Sequence, residues 1–238
     1  MKKSILNSDT FSPLYRQLIQ RLKNDIASGV YPVHGRIPSE QELCQAYQVS
    51  RVTVRKALSD LVKDGLLIRH QGKGTFVAVP RILRDLKQIT SFHAACRITG
   101  CTASTKLIHL HWQHALPEDV ENLHVEPSEM VLEMCRLRYA DNLPVMLETN
   151  RFPAAFSYLA QEDLTKSLYD ILLRNGTEAN KAVHDIALSY AAPAQARLLE
   201  VEPGAALLLL RECVYDQSGA AIHTSSQLIR GDRFTFRI

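Results

Sequence analysis

Two pairs of arginines carry the most distinctive chemistry in this chain. Arg51 and Arg55 lie four apart in Val49-Ser-Arg-Val-Thr-Val-Arg-Lys-Ala-Leu, and Arg136 and Arg138 lie two apart in Met134-Cys-Arg-Leu-Arg-Tyr. The first spacing places two guanidinium groups on one face of a helix, where they can reach guanine edges or phosphates. The second places two on one face of a strand, where they repel unless an anion or water separates them. A bound phosphate or carboxylate would satisfy both through charge-assisted hydrogen bonds. Glu148 follows on the next β-prone run. An odd-length connecting loop would bring it beside Arg136, and an even-length loop would not. The plainer reading of this group is a solvent-facing charged strand with Glu148 as an ion-pair partner.

The elements that must hold Arg51 and Arg55 are legible in order. Ser12 reads as a helix cap with Pro13 at the first helical position, and Leu14, Leu18, Leu22 and Ile26 recur at helical spacing until Gly29. Ser39 and Glu42 form an S-x-x-E capping box for a second helix, with Leu43 and Tyr47 inward. Ser50 caps a third helix that runs to about Asp64 before Gly65, with Val54, Ala57, Leu58 and Leu61 as its apolar stripe and the arginines opposite. His70-Gln-Gly-Lys-Gly then separates two β-prone runs as a hairpin tip, where Gly72 and Gly74 permit close backbone approach and Lys73 offers a phosphate-directed charge. The order of these elements is that of a winged helix-turn-helix. A nucleotide-binding loop is excluded, because Lys73 is followed by glycine and a strand rather than by Ser/Thr and a helix.

Charge follows the same division. Residues 1–80 hold 12 Lys/Arg against 6 Asp/Glu, and the remainder 16 against 19, so the net +3 of the 238-residue chain conceals a basic first third. Neither a membrane span nor a secretion signal is expected, which points to a cytoplasmic protein. Cys44, Cys96, Cys101, Cys135 and Cys213 include no CxxC pair and read as reduced, packed thiols. His109 and His111, with His114 nearby, read as the solvated polar face of a strand whose apolar face is Ile108, Leu110 and Trp112; no metal or cofactor is called for.

The rest of the chain contains a repeat. A single constant offset aligns Pro117 with Pro193, Leu123 with Leu199, Val125 with Val201, Glu126 with Glu202, Pro127 with Pro203 and Tyr139 with Tyr215. Each copy reads as a strand, a short helix and a β-hairpin, and two copies can pair into one antiparallel sheet with helices on one side. At this offset Arg136 and Arg138 correspond to Glu212 and Val214 in the second copy, and Glu148 to Thr224.

Residues Leu14 to Val79 resemble the winged helix of GntR-family bacterial transcription regulators, in the PSE-x-EL turn, the VSR-x-TVR-x-AL helix and the G-x-GTFV wing. From about Lys87 onward the chain resembles the UTRA effector-binding domain of the HutC subfamily, a chorismate-lyase-like fold. That resemblance rests on Ile89-Thr-Ser-Phe, the R-x-R strand with Tyr139-Ala-Asp, Leu147-Glu148, Ser167-Leu-Tyr and Arg230-Gly-Asp-Arg-Phe-Thr-Phe. It implies an α+β protein with a DNA-binding domain at 1–79, a linker at 80–88 and an effector-binding and dimerisation domain at 89–238. It further implies DNA contacts from Ser50, Arg51, Arg55, Gln71, Gly72 and Lys73. An anionic effector such as a sugar phosphate would be held by Ser91, Phe92, Arg136, Arg138 and Ser167, with Glu148 binding hydroxyls or an amine. The expected protein is a homodimeric repressor on a palindromic operator. A constitutive DNA-binding dimer and a lyase-like enzyme are the competing readings; no acid–base pair or nucleophile elbow supports the enzyme.

Overall fold

Capping serines and left-handed glycines set the helix boundaries in the first part of the chain. The computed structural model describes residues 12–79 and 81–237, in two units that divide between Pro80 and Arg81. The first unit contains α1 (Leu14–Ala27), α2 (Glu40–Tyr47), α3 (Arg51–Lys63) and a hairpin of β1 (Leu67–His70) and β2 (Gly74–Val77). Ser39 Oγ accepts from the Glu42 amide at 3.3 Å, and Glu42 Oε2 accepts from the Ser39 amide at 2.7 Å, closing the expected capping box. Gly65 follows α3 at φ +72°, a conformation that side chains resist. The start of α1 differs from expectation by one residue. Pro13 is extended (ψ 142°) and occupies the capping position itself, so Ser12 lies outside the helix. Leu18, Leu22, Leu43, Tyr47, Val54, Leu58 and Leu61 pack with Leu67 and Val77 into one core beneath the hairpin.

The second unit is built on a six-stranded antiparallel sheet ordered β4 (Ala103–His114), β5 (Met130–Ala140), β6 (Leu143–Phe152), β9 (Ala221–Arg230), β8 (Ala206–Asp216), β7 (Ala179–Tyr190). The repeat is plain in three pairs of elements that start at the offset seen in the sequence: β4 and β7, α5 (Pro117–Leu123) and α7 (Pro193–Leu199), and β5 and β8. The copies meet at the β6–β9 pair, so the sheet has an approximate two-fold arrangement.

Helices cover both sheet faces rather than one. The face carrying Leu132, Met134, Met146 and Phe152 is covered by α4 (Phe92–Thr99), the 3-10 helix Ala154–Gln161 and α6 (Leu168–Arg174). The opposite face, with Leu137, Leu147, Leu207 and Leu228, packs against α7, with α5 beside it. Cover on both faces is required because β5 is buried along nearly its whole length. A bulge after Leu107 also separates two residues expected together: Ile108 packs on the α7 side and Leu110 on the α6 side.

The segment expected as a linker contains β3 (Ile82–Asp85), which pairs in parallel with β10 (Phe234–Arg237). Its side chains explain the difference. Ile82 is buried with Phe234 in the core under α4, and Arg84 is drawn inward by ion pairing, as described below.

Leu22→Ala is expected to destabilise the first unit by about 2–5 kcal/mol, because the surrounding helices cannot close the cavity. Leu22→Met should cost less than about 1.5 kcal/mol. Urea unfolding followed by far-ultraviolet circular dichroism reads both.

Candidate functional site

The position of Glu148 depends on one extra residue. The β5–β6 turn has two residues, Asp141 and Asn142, both at positive φ (49° and 65°). Such an even loop would leave Glu148 on the face opposite Arg136. A bulge between Arg138/Met146 and Tyr139/Pro144 shifts the register by one, and Glu148 pairs directly with Arg136. In the second hairpin the residue opposite Glu212 is Ser225, so the counterpart of Glu148 is Ser225 rather than Thr224. The longer second loop offsets the two returning strands.

Arg136 and Arg138 share the Glu148 carboxylate. Arg136 Nη2 donates to Glu148 Oε2 at 2.7 Å, and Arg138 Nε donates to the same oxygen at 3.0 Å. Arg136 is 0% exposed, Arg138 3% and Glu148 8%, so all three are removed from bulk water. Burial opposes ionisation of Glu148, yet Arg138 and Arg136 outweigh it and hold the carboxyl at about 2, from 4.5. Burial, followed by the charge of Arg138, lowers Arg136 to about 10, which leaves it charged at neutral pH. Two guanidinium groups thus share one carboxylate, and Arg136 Nε has no hydrogen-bond partner. Arg138 also donates to Thr105 Oγ1 at 2.8 Å and lies over the Phe92 ring, 5.3 Å from its centroid.

Two helices start at this pocket. Ser91 Oγ accepts from the Ala94 amide at the start of α4, and Ser167 Oγ accepts from the Asp170 amide at the start of α6. Ser91, Phe92, Arg136, Arg138, Glu148 and Ser167 all line one pocket, so the structure brings together every residue expected there. Arg84, Tyr169, His223 and Gln227 also stand in its wall. Arg84 donates to Gln227 Oε1 at 2.6 Å and to both Glu212 oxygens at 2.9 and 3.0 Å.

In the first unit Ser50 caps α3 through the Thr53 amide (3.2 Å), and Arg51 and Arg55 are exposed on its first turns. Arg55 Nε donates to Glu40 Oε2 at 2.9 Å, and Arg69 Nη2 to Glu40 Oε1 at 3.4 Å. Glu40 therefore ties the start of α2 to α3 and to the wing. Gln71, Gly72 and Lys73 form the exposed wing tip, with Gly72 at φ +74°. Gly74 has a spatial role as well: a Cβ there would come within 2.9 Å of Arg36 Nε.

These two arrangements match known families over most of the chain. Residues 14–77 match the bacterial regulatory proteins of the gntR family, and residues 99–235 match the UTRA domain. The chain belongs to the GntR family. Its second domain is the UTRA domain of the HutC subfamily, and it is a ligand-responsive, DNA-binding transcriptional regulator. It is 31% identical to the HTH-type transcriptional repressor NagR of Bacillus subtilis, across 97% of this chain and 96% of that one. It is 34% identical to the probable fructoselysine utilization operon transcriptional repressor of Escherichia coli, across 94% and 93%. The crystal structure of PhnF from Mycobacterium smegmatis superposes with a TM-score of 0.86 at 29% identity, covering 92% of this chain and 97% of that one. No helix among the described residues is long and apolar enough to cross a membrane.

Sequence reasoning did not single out three residues that stand beside the expected ones in this GntR-family chain. Arg84 was hidden because it enters the pocket from a strand whose place in the fold depends on long-range pairing, and Gln227 was in view only beside Leu228 and Ile229, with nothing local to choose among the three. Arg69 was missed because nothing local links β1 to the start of α2.

Glu148→Gln is expected to cost about 3 kcal/mol at neutral pH by leaving two buried guanidinium groups without a counter-charge. The Glu148 pKa is depressed in the folded state, so its contribution is complete above about pH 4.5 and is lost as pH falls toward about 2. Wild-type stability should therefore fall through that window, and the variant should fall less steeply. Equal slopes in urea titrations from pH 5 to pH 2.5 would contradict this account of the carboxylate.

Proposed function

We propose that this regulator is a cytoplasmic, homodimeric repressor, released from a two-fold operator by a small anionic metabolite of the sugar-phosphate class. The observation that carries the reading is the pair of buried arginines sharing one carboxylate. A phosphate placed beside them would meet the unpaired Arg136 Nε, the second guanidinium group and the capped starts of α4 and α6. Glu148, on the same wall, accepts from hydroxyl or amine groups of the remaining ligand. The names of the relatives add support, since NagR and the fructoselysine protein are both called repressors.

On the DNA side, Arg51 and Arg55 at the start of α3 suit major-groove edges or phosphates. Ser50, Gln71, Gly72 and Lys73 suit the backbone. A palindromic operator needs two readers at fixed spacing, which is the argument for a dimer held by the second domain. Release requires the effector to bind one arrangement of the protein better than the other. Arg84 offers a route. It lines the pocket and stands on β3, the strand by which the chain enters the second unit. Among the described residues the pocket holds charge-balancing pairs and a histidine, His223, that burial makes less basic, rather than a nucleophile hydrogen-bonded to a base, which favours a sensor over an enzyme.

Operator binding at fixed salt, with DNA from the upstream region of the gene, tests this reading. Arg51→Ala is expected to weaken binding about 5- to 150-fold, equivalent to about 1–3 kcal/mol. One member of a panel of phosphorylated sugars and organic acids should release the wild-type protein and leave Arg136→Ala bound. Specific binding that responds to nothing in the panel, and is unchanged by Arg136→Ala, would favour the constitutive dimer.

A further inference from the structure

On the sheet face away from the arginine pocket, His109 and His111 of β4 meet Glu133 of β5. The bulge at Ile108 brings His109 opposite Cys135 and His111 opposite Glu133, so both imidazoles lie on the same side as that carboxylate. His109 Nε2 is 3.0 Å and His111 Nε2 3.9 Å from Glu133 Oε1. Both imidazole side chains are about half exposed (41% and 49%), and all three donor atoms lie within 4.8 Å of one another.

The other oxygen of Glu133 is already committed. Oε2 accepts from Gln113 Nε2 at 2.7 Å and from Arg151 Nε at 2.9 Å, which fixes the buried carboxylate and leaves Oε1 aimed between the imidazoles. Metal-binding carboxylates are held in this way by outer hydrogen bonds. The local charge also favours a cation. Arg151 faces Glu133, Glu118 at 2.8 Å and Asp119 at 4.0 Å, so three carboxylates surround one guanidinium group. Asp119 Oδ1 is buried without a hydrogen-bond partner.

We infer that His109, His111 and Glu133 bind a zinc ion, with a fourth position left for water or an external donor. Two imidazoles and a carboxylate are a donor set that zinc accepts, and tetrahedral bonds of about 2.0–2.2 Å need donors about 3.3 Å apart. The donors now lie within 4.8 Å, so binding requires the two half-exposed imidazoles to turn inward. The sequence alone pointed to a solvated strand face, because Glu133 lies beyond α5 from His111 and its partners become visible only through the β4–β5 register. The site lies on the opposite sheet face from Arg136, so this inference is independent of the proposed effector.

The test uses full-length, tag-free, metal-stripped protein at pH 7.5, titrated with zinc against a chromophoric chelator. One zinc per chain is expected. His109→Ala and His111→Ala should each weaken binding at least tenfold, and Gln113→Leu about tenfold through the loosened carboxylate. Cobalt in place of zinc should give visible absorption of a four-coordinate site in the wild type and not in His111→Ala. Zinc should raise the melting temperature of the wild type but not of His111→Ala, with the metal-free values alike. Less than one zinc per chain at saturation, or binding undiminished in the His109→Ala/His111→Ala double variant, would overturn the inference.

Discussion

Two buried guanidinium groups held by a single carboxylate are the constraint around which the second unit is arranged. Removing Arg136, Arg138 and Glu148 from water carries a desolvation cost set against their mutual attraction, and apolar side chains of similar volume would often be at least as stable. The fold nevertheless takes several steps to keep the group together. A bulge sets the β6 register, Phe92 covers the Arg138 guanidinium, and Ser91 and Ser167 start helices at the same place. Under the function proposed above, a ligand rather than stability accounts for a polar cluster maintained at that cost.

The duplication provides the frame and its asymmetry provides the chemistry. The two copies supply equivalent strands and helices, but the position of Arg136 in the first is Glu212 in the second. Glu212 does not stay solitary. It pairs with Arg84 and with His184, and Gln227 donates to it across β8–β9. Arg136, Arg138 and Glu148 on the pocket wall therefore all come from the first copy, and Glu212 of the second is held by Arg84 and Gln227, which line the same pocket. Arg84, from outside either copy, lines the pocket and pairs with Glu212, so β3 is tied to both copies.

Local chemistry was legible in the sequence, and long-range pairing was not. The capping box at Ser39 and Glu42, the cap at Ser50, the glycine after α3 and the Gln71-Gly-Lys tip depend on neighbours within a few residues, so their types disclose them. The repeat was legible because β4, α5 and β5 recur without insertion or deletion. Bulges were not. Nothing local at Ile108 or Val145 marks an extra residue, yet the first moves Ile108 to the other face and the second decides where Glu148 points. The strand at Ile82–Asp85 was hidden for a related reason, since its partner, Phe234–Arg237, lies at the far end of the chain. Cover on both faces was likewise invisible until β5 was seen to be a central strand.

The central claim is that Arg136 and Arg138 hold the anionic group of the effector. The most direct measurement is calorimetric titration of the protein with phosphorylated sugars and with the same sugars lacking phosphate, in the wild type and in Arg136→Ala. The account predicts that one phosphorylated sugar binds, that its phosphate-free counterpart does not, and that Arg136→Ala abolishes the difference. A sugar that binds equally well with and without its phosphate, or one whose binding is indifferent to Arg136, would contradict it.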